Sequence, residues 1–310
     1  MSRPSLLEAL RRRTLLGDGA MGTELQRAGL EPGAGGELWN LERPDAVLEI
    51  HRRYGAAGAE VLLTNTFGAS RLGLARHGAD DRVREINLAG AALARRALGD
   101  TGWVLGDLGP SGGLLQPLGE LEPDVVYAAF TEQARALLAG GVDGILVETM
   151  TAPEELALAV RAARAAGAPV VIASMAFDRT RVGLRTMMGT APEAAARAML
   201  AAGADVLGAN CGTGLALADF AEVARAYRAV APGVPLLVRP NAGQPELVGT
   251  AVVYHAGPEP MAAQVPALLA QGVRLLGGCC GTTPAHVRAF AAALTRPAAA
   301  ASTNPAHERA

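Results

Sequence analysis

The sequence predicts a single-domain (β/α)8 barrel of the α/β class. Short apolar runs that end in polar or glycine residues alternate with longer segments rich in Ala, Leu, Arg and Glu. Eight such units follow one another, and no shift in composition marks a second domain. Eight strand–helix units in series predict a parallel sheet, and eight is the number that closes a barrel. An open, doubly wound sheet is the alternative.

The predicted strands are the eight short apolar runs, and each is followed by a helical pattern. Several helical patterns begin with proline followed by acidic residues and end before glycine, as helix termini do. The strands are expected at 15–20, 61–67, 103–109, 144–149, 170–176, 206–211, 236–241 and 275–280. The helices are expected at 46–55, 81–98, 123–138, 153–165, 192–202, 217–230, 260–270 and 284–294.

The barrel is predicted to occupy residues 1–296. The segment 297–310 is of low complexity and is expected to be a disordered tail. The basic run 11–13 is expected to form the solvated face of a helix before the first strand.

Composition and charge exclude several classes of protein. The 310 residues carry 28 basic and 30 acidic side chains, a net charge of −2, so nothing indicates nucleic acid as a partner. No apolar run reaches about 18 residues, so no membrane span is expected. The N-terminus lacks the apolar core of a secretory signal, and the chain has only three cysteines. Reduced thiols and a cytoplasmic location are therefore expected.

Polar residues follow most of the predicted strands. In a barrel of this kind the carboxyl ends of the strands form one rim, where active sites lie. Each Asp or Asn taken alone is equally typical of a turn or a helix cap. All three cysteines nevertheless fall on this rim. The residues expected there are Asp18, Thr64, Asn65, Asp107, Glu148, Thr149, Asn210, Cys211, Asn241, Cys279 and Cys280.

The cysteines end the sixth and eighth predicted strands, whose ends can face the same central space. Three thiolates on one ion would form a zinc site. Adjacent cysteines of a regular strand point to opposite faces, so Cys279 and Cys280 need an irregular turn, which the flanking glycines permit. Three alternatives stay open: small buried apolar cysteines, a Cys279–Cys280 disulfide, and a closed structural zinc site with His286 as its fourth ligand.

An open fourth position is typical of catalytic zinc. Sulfur ligands make zinc soft, which favours a sulfur substrate, and a thiol bound to zinc loses its proton at neutral pH. The cysteines therefore predict Zn²⁺ as the cofactor, catalytic roles for Cys211, Cys279 and Cys280, and alkyl transfer to a thiol.

Six segments together resemble the homocysteine S-methyltransferase family, from about residue 15 to residue 293. The segments PNAGQP and TNTFGAS are most similar to the branch formed by the homocysteine-binding barrels of cobalamin-dependent methionine synthases. The pairing of NC with GGCCGTTP is the most specific signature. The six segments are GDGAMGTEL, TNTFGAS, GDLGPSG, GANCG, PNAGQP and GGCCGTTPAHV.

The resemblance implies roles for individual residues. It identifies the three cysteines as zinc ligands and homocysteine as the substrate. Asp18 and Glu148 would hold the substrate ammonium, because an ammonium needs carboxylates. Gly19, Thr64 and Asn65 would position its carboxylate and backbone. Asn210 is expected in the same substrate site, although Asn210 and Asn241 could each simply shape a loop.

The resemblance leaves the methyl donor open. The length of the chain fits direct donors, namely S-methylmethionine or S-adenosylmethionine. The local motifs fit methylcobalamin carried by a separate corrinoid protein. The main hypothesis is a zinc-dependent homocysteine S-methyltransferase that forms methionine. The alternative is the homocysteine-binding subunit of a split cobalamin-dependent methionine synthase, inactive without its corrinoid partner.

Overall fold

The structure, a computed structural model, describes residues 3–248 and 251–295. Eight parallel strands form the central sheet, and two antiparallel hairpins stand apart from it. The strands in chain order are β1 Leu15–Leu16, β2 Val61–Leu63, β3 Trp103–Leu108, β4 Gly144–Met150, β5 Val171–Met175, β6 Asp178–Thr180, β7 Gly183–Arg185, β8 Val206–Asn210, β9 Leu236–Arg239, β10 Pro245–Val248, β11 Ala251–Tyr254 and β12 Val273–Leu276.

Helices pack around the sheet and follow its strands along the chain. Their bounds are α1 Leu6–Arg12, α2 Gly22–Arg27, α3 Trp39–Glu42, α4 Pro44–Ala56, α5 Arg71–Ala75, α6 Val83–Leu98, α7 Pro123–Ala139, α8 Pro153–Ala165, α9 Pro192–Ala202, α10 Leu217–Val230, α11 Pro258–Ala262, α12 Val265–Ala270 and α13 Pro284–Thr295. Four of the longer helices, α7, α8, α9 and α13, begin at the prolines that predicted their starts. Helix α4 begins at Pro44, two residues before its predicted start.

The sheet closes on itself. Its strand order is β1-β12-β9-β8-β5-β4-β3-β2, and the two ends meet through a parallel bridge between Gly17 and Val61. The amide of Asp18 donates to the carbonyl of Val61 at 3.0 Å across this junction. The predicted (β/α)8 barrel is therefore confirmed, and the doubly wound alternative is not.

Alternate residues of the strands build two cores. Leu15, Val61, Leu105 and Ile172 belong to a buried cluster inside the barrel, together with Leu10 of α1. Strand residues with the opposite parity, such as Leu62 and Leu207, pack outward into the larger cluster under the helices. This alternation follows from the two-residue period of a strand. Helix α1 thus covers the interior core, and the predicted solvated run 11–13 is exposed.

The last barrel strand was predicted too late in the chain. It spans Val273–Leu276, whereas 275–280 was expected. Beyond Leu276 the chain enters a loop, in which the amide of Gly278 donates to the Asp18 carbonyl and the amide of Cys279 to the Pro240 carbonyl, each at 2.8 Å. The irregular turn that two adjacent zinc-binding cysteines require is therefore present.

The helix predicted at 260–270 is two helices. The chain leaves the helical path after Ala262 and begins again at Val265. Pro266 explains the break, because its ring would clash with the carbonyl of residue 262 in a continuous helix.

The hairpins β6–β7 and β10–β11 were not predicted, and the predicted tail lies outside the described residues. Within residues 3–248 and 251–295, every helix is too short or too polar to cross a membrane.

Candidate metal centre and substrate cavity

Three cysteines converge at the carboxyl end of the barrel. Cys211 follows β8, and Cys279 and Cys280 lie in the loop after β12. Their Sγ atoms all lie within 4.8 Å of one another, and all three thiols are free and partly exposed. Neither a vicinal disulfide nor a set of fully buried apolar cysteines describes this arrangement.

The backbone at Cys211 is in the left-handed region, with φ of 55°, and Gly212 follows with φ of 85°. Asn241 holds this turn, because its Nδ2 donates to the Gly212 carbonyl at 2.8 Å and lies 3.8 Å from Cys211 Sγ. A left-handed residue other than glycine is strained and persists only where its surroundings impose it. The strained turn brings the thiol of Cys211 to the pair in the opposite loop.

The three thiols shift one another's pKa values. Contacts with Cys279 and Cys280 lower the pKa of Cys211 to about 3. Contact with Cys211 raises the pKa of Cys279 to about 11, and contacts with Cys211 and Cys279 raise the pKa of Cys280. The three sulfur atoms therefore interact directly, as the ligands of one shared ion would.

The donor set fits zinc. Three sulfurs at about 2.3 Å from a tetrahedral ion lie about 3.8 Å apart, and the three Sγ atoms here all lie within 4.8 Å of one another. Among the described residues this is the one group of three or more His, Cys, Asp or Glu side chains close enough to share an ion. A zinc ion held by these three cysteines would keep a fourth position for another ligand, and the cysteines line the cavity described next.

His286 does not complete the site. Its Nδ1 accepts from the backbone N–H of Thr283 at 3.1 Å, and its Nε2 lies 2.9 Å from the carbonyl of Ala256. Both ring nitrogens are thus engaged in joining the start of α13 to the segment after β11. The structure gives no support to the closed zinc site in which His286 would be the fourth ligand.

A cavity of about 340 Å³ lies beside the thiols. All the predicted rim residues except Asn210 and Asn241 reach its wall. The predicted residues on this wall are Asp18, Gly19, Thr64, Asn65, Asp107, Glu148, Thr149, Cys211, Cys279 and Cys280.

Asn210 lies beneath the wall instead. Its Oδ1 accepts from the backbone N–H of Thr149 at 3.0 Å and from Ser174, and its Nδ2 donates to Thr149 Oγ1 at 2.7 Å. Thr149 has a left-handed φ of 61°, so the fully buried amide of Asn210 holds a strained cavity residue in place. This contact supports a loop-shaping role for Asn210.

Thr64 and Asn65 are also held by neighbours. Thr64 Oγ1 accepts from the amide of Asp107 at 2.9 Å, and Asn65 Nδ2 donates to the carbonyl of Gly36 at 2.8 Å and to Asn40 Oδ1 at 3.1 Å. Both residues line the cavity with side chains that are fixed by the protein. A rigid polar wall of this kind orients a small ligand.

One buried guanidinium and three buried carboxylates form the floor of the cavity. Arg239, at the end of β9, donates from Nη1 to Asp18 Oδ1 at 2.9 Å, and its Nε lies 3.8 Å from Glu148 Oε2. Burial raises the pKa of Glu148 to about 8. Burial and the charge of Glu148 hold the pKa of Asp107 well above its ordinary value.

Arg239 is the charged cavity residue that the sequence reasoning missed. It lines the cavity, yet no role was assigned to it. A signal was present, since it is a charged side chain at the end of the apolar run 236–238. Asp107 was placed on the rim without a role. Tyr254 of the unpredicted hairpin β10–β11 also lies beside the site, where burial and the neighbouring Cys280 raise the pKa of its hydroxyl.

Known proteins resemble the whole chain. It matches the homocysteine S-methyltransferase family over residues 15–294. It is 39% identical over 307 residues to the methionine synthase of Mycobacterium tuberculosis, a match that covers 93% of this chain and 25% of that protein. The chain spans about a quarter of the length of such curated relatives.

Solved structures agree with this likeness. The homocysteine methyltransferase MmuM of Escherichia coli in its metallated form is 27% identical with a TM-score of 0.72, covering 90% of this chain and 96% of that one. Its oxidized form is 26% identical with a TM-score of 0.73, covering 93% and 98%. The converging cysteines, the barrel and these matches agree, and the chain belongs to the homocysteine S-methyltransferase family.

Proposed function

We propose that the chain is a zinc-dependent methyltransferase that binds homocysteine and forms methionine by methyl transfer to the homocysteine sulfur. The observation that carries the proposal is the convergence of Cys211, Cys279 and Cys280 on one point beside a polar cavity. When bound, zinc supplies the positive charge that keeps a substrate thiol deprotonated at neutral pH. The cysteines would be its ligands.

The cavity wall suits an amino acid. Its carboxylates, Asp18 and Glu148 by the family resemblance, would bind the substrate ammonium. The fixed polar groups around Gly19, Thr64 and Asn65 would position its carboxylate. A volume of about 340 Å³ is small, which favours a ligand of the size of homocysteine.

Removal of one cysteine tests this function. We expect Cys211→Ala to lose stoichiometric zinc and most methyl transfer, because two thiolates cannot complete the ligand set. Thr213→Ser, an exposed conservative change in the same loop, is the control and is expected to keep both. Full zinc content with full activity in Cys211→Ala would overturn the proposal.

A second, larger cavity adjoins the first and offers the donor an approach. Its volume is about 950 Å³, and Thr149 lines both cavities. Exposed apolar side chains stand on its wall, among them Leu114, Leu118 and Met187. We propose that the methyl donor reaches the substrate sulfur from this side.

The apolar wall favours a second candidate function. Large exposed apolar surfaces are typical of sites that meet another protein or a bulky ligand. The chain would then be the homocysteine-binding part of a cobalamin-dependent methionine synthase, with methylcobalamin carried by a corrinoid protein or module. The similarity to a mycobacterial methionine synthase four times as long supports this candidate.

A donor panel separates the two candidates. Zinc-loaded protein and homocysteine are incubated with S-methylmethionine, S-adenosylmethionine or methylcobalamin, and methionine is measured. Turnover with either sulfonium compound supports direct transfer. Turnover with methylcobalamin alone supports the corrinoid candidate. Leu118→Arg is expected to impair turnover with the productive donor while zinc content is unchanged.

A further inference from the structure

The turn that carries Cys211 out of β8 depends on contacts from other parts of the chain. Cys211 and Gly212 both have a left-handed φ, of 55° and 85°. A residue other than glycine is strained in this region, so neighbouring groups must hold it there. Asn241 supplies one such contact, on the carbonyl of Gly212. The next backbone N–H groups of the turn are held by a different element.

A carboxylate of the hairpin β6–β7 binds these N–H groups. Asp178 is the first residue of β6, and its Oδ1 accepts from the backbone N–H of Thr213 at 2.7 Å and from that of Gly214 at 2.9 Å. One oxygen atom therefore joins the second and third residues after Cys211. Hydrogen bonds to an ionised acceptor are stronger than those between neutral groups.

The hairpin is itself fixed beside the turn. Arg179, the residue after Asp178, forms an ion pair with Asp219 of α10, the helix into which the turn leads. The backbone before β6 also lies against the turn, because a Cβ at Gly212 would lie 2.2 Å from the carbonyl oxygen of Phe177. Asp178 therefore offers its oxygen to the turn from a position that neighbouring contacts determine.

We infer that Asp178 is a positioning residue of the metal centre, which holds the turn so that the Cys211 thiol can share an ion with the other two cysteines. The inference rests on the proposed function, since it takes the three cysteines as zinc ligands. Cys279 and Cys280 are adjacent in one loop, whereas Cys211 comes from another strand, so its place beside them depends on this turn. Asp178 does not line the substrate cavity, and it acts through Cys211 rather than on the substrate.

The position of the oxygen atom at residue 178 should set the zinc affinity. A turn that is already in place costs the metal no ordering of the chain, and residues that orient metal ligands change metal affinity when they are lost. The contact with the turn uses Oδ1 alone. An amide oxygen at the same place can accept the same two N–H groups, so asparagine should replace Asp178 better than alanine does.

Competition with a coloured chelator measures the zinc affinity of the purified chain without turnover. We expect Asp178→Ala to bind zinc about 10- to 100-fold more weakly than the unaltered protein, as for the loss of other residues that orient metal ligands. We expect Asp178→Asn to stay within about threefold of the unaltered protein, because its amide oxygen keeps both hydrogen bonds.

Asp205 gives a matched control at the other end of the same strand. It directly precedes β8, whereas Cys211 directly follows it, and like Asp178 it is partly exposed. Its Oδ2 accepts from the backbone N–H of Val171 at 2.8 Å and pairs with Arg164. Asp205→Ala is therefore expected to lower the melting temperature of the metal-free protein and to keep its zinc affinity. The same melting temperature is measured for every variant.

Two results would overturn the inference. One is an unchanged zinc affinity in Asp178→Ala, and the other is equal weakening in Asp205→Ala, since zinc affinity would then follow overall stability. If Asp178→Ala does not fold, Asp178→Glu replaces it, because the added methylene displaces the oxygen and keeps the charge; an unchanged affinity there would have the same meaning. In all these cases the unaltered protein still binds zinc, and the proposed function stands. Failure of the unaltered protein to bind zinc would instead refute the proposed function.

Discussion

Arg239 and Asp18 form an ion pair in the interior of the barrel mouth, with Nη1 2.9 Å from Oδ1 and both side chains at most 5% exposed. The pair joins the end of β9 to the loop after β1, and so it links the parts of the barrel rim on the two sides of β12. Gly277 lies against this pair, and a Cβ there would lie 2.7 Å from Arg239 Nη1 and 2.9 Å from the Asp18 carbonyl oxygen. The loop after β12 can therefore pass over the ion pair only with glycine at that position.

Loss of the guanidinium should destabilise the fold. Arg239→Met leaves Asp18 buried without its charge partner, and breaking a buried pair in this way costs about 3–5 kcal/mol. Urea unfolding at pH 7 measures the free energy. The double variant Asp18→Asn/Arg239→Met removes both charges and is expected to recover part of the loss. A single variant as stable as the unaltered protein would contradict the role of the pair.

His51 should make the protein sensitive to acid. The imidazole is fully buried, and neither ring nitrogen has a partner among the described residues. Burial lowers its pKa from 6.5 to about 4. The folded protein thus binds a proton at His51 less readily than the unfolded chain does. The free energy of unfolding therefore keeps its full value above pH 6.5 and decreases as the pH falls towards 4.

The measurement compares unfolding free energies at pH 7.5 and pH 4.5. His51→Phe should lose about 2–3 kcal/mol less than the unaltered protein over this range, from about 1.4 kcal/mol per pKa unit. His77→Gln replaces an exposed histidine and should lose as much as the unaltered protein. Parallel losses in His51→Phe and the unaltered protein would show that another group controls the acid response.

Removal of the imidazole at position 286 should leave the zinc in place. The two ring nitrogens of His286 contact Thr283 and Ala256 rather than the thiols. We therefore expect His286→Ala to bind one zinc per chain and to melt at a lower temperature, because the hairpin loses its link to α13. Zinc content by atomic absorption is the readout. A metal-free His286→Ala protein would instead support a closed structural zinc site with His286 as its fourth ligand.

Gly281 should be intolerant of a side chain. Its φ is 77°, and a Cβ there would lie 2.3 Å from Cγ of Tyr254. Gly281→Ala should cost about 1–2 kcal/mol for the left-handed backbone alone, and it should weaken zinc binding by displacing Tyr254 from Cys280. Competition with a coloured chelator measures zinc affinity. Gly233→Ala meets no atom within 4 Å and is the control. Equal behaviour of the two variants would contradict this packing.

The fold was predictable because its signals are local. Apolar runs followed by helical patterns recur eight times, several of the helical patterns begin with proline, and each pattern reflects its own segment alone. The ends of strands and helices were less predictable where contacts with distant parts of the chain determine them. Beyond Leu276, sheet pairing gives way to contacts with the carbonyls of Asp18 and Pro240, and no pattern within residues 275–280 records those partners.

The sequence by itself determined the barrel and the common rim of Cys211, Cys279 and Cys280, since strand order and spacing place them there. The tertiary structure decided how the charges of the rim are shared. Arg239 and Asp18 are 221 residues apart in the chain, yet they form an ion pair, whereas Asp107 Oδ1 and Glu148 Oε2 are buried without a hydrogen bond among the described residues. The reason is physical: pairing of buried charges depends on ångström distances across the closed barrel, which sequence spacing does not specify.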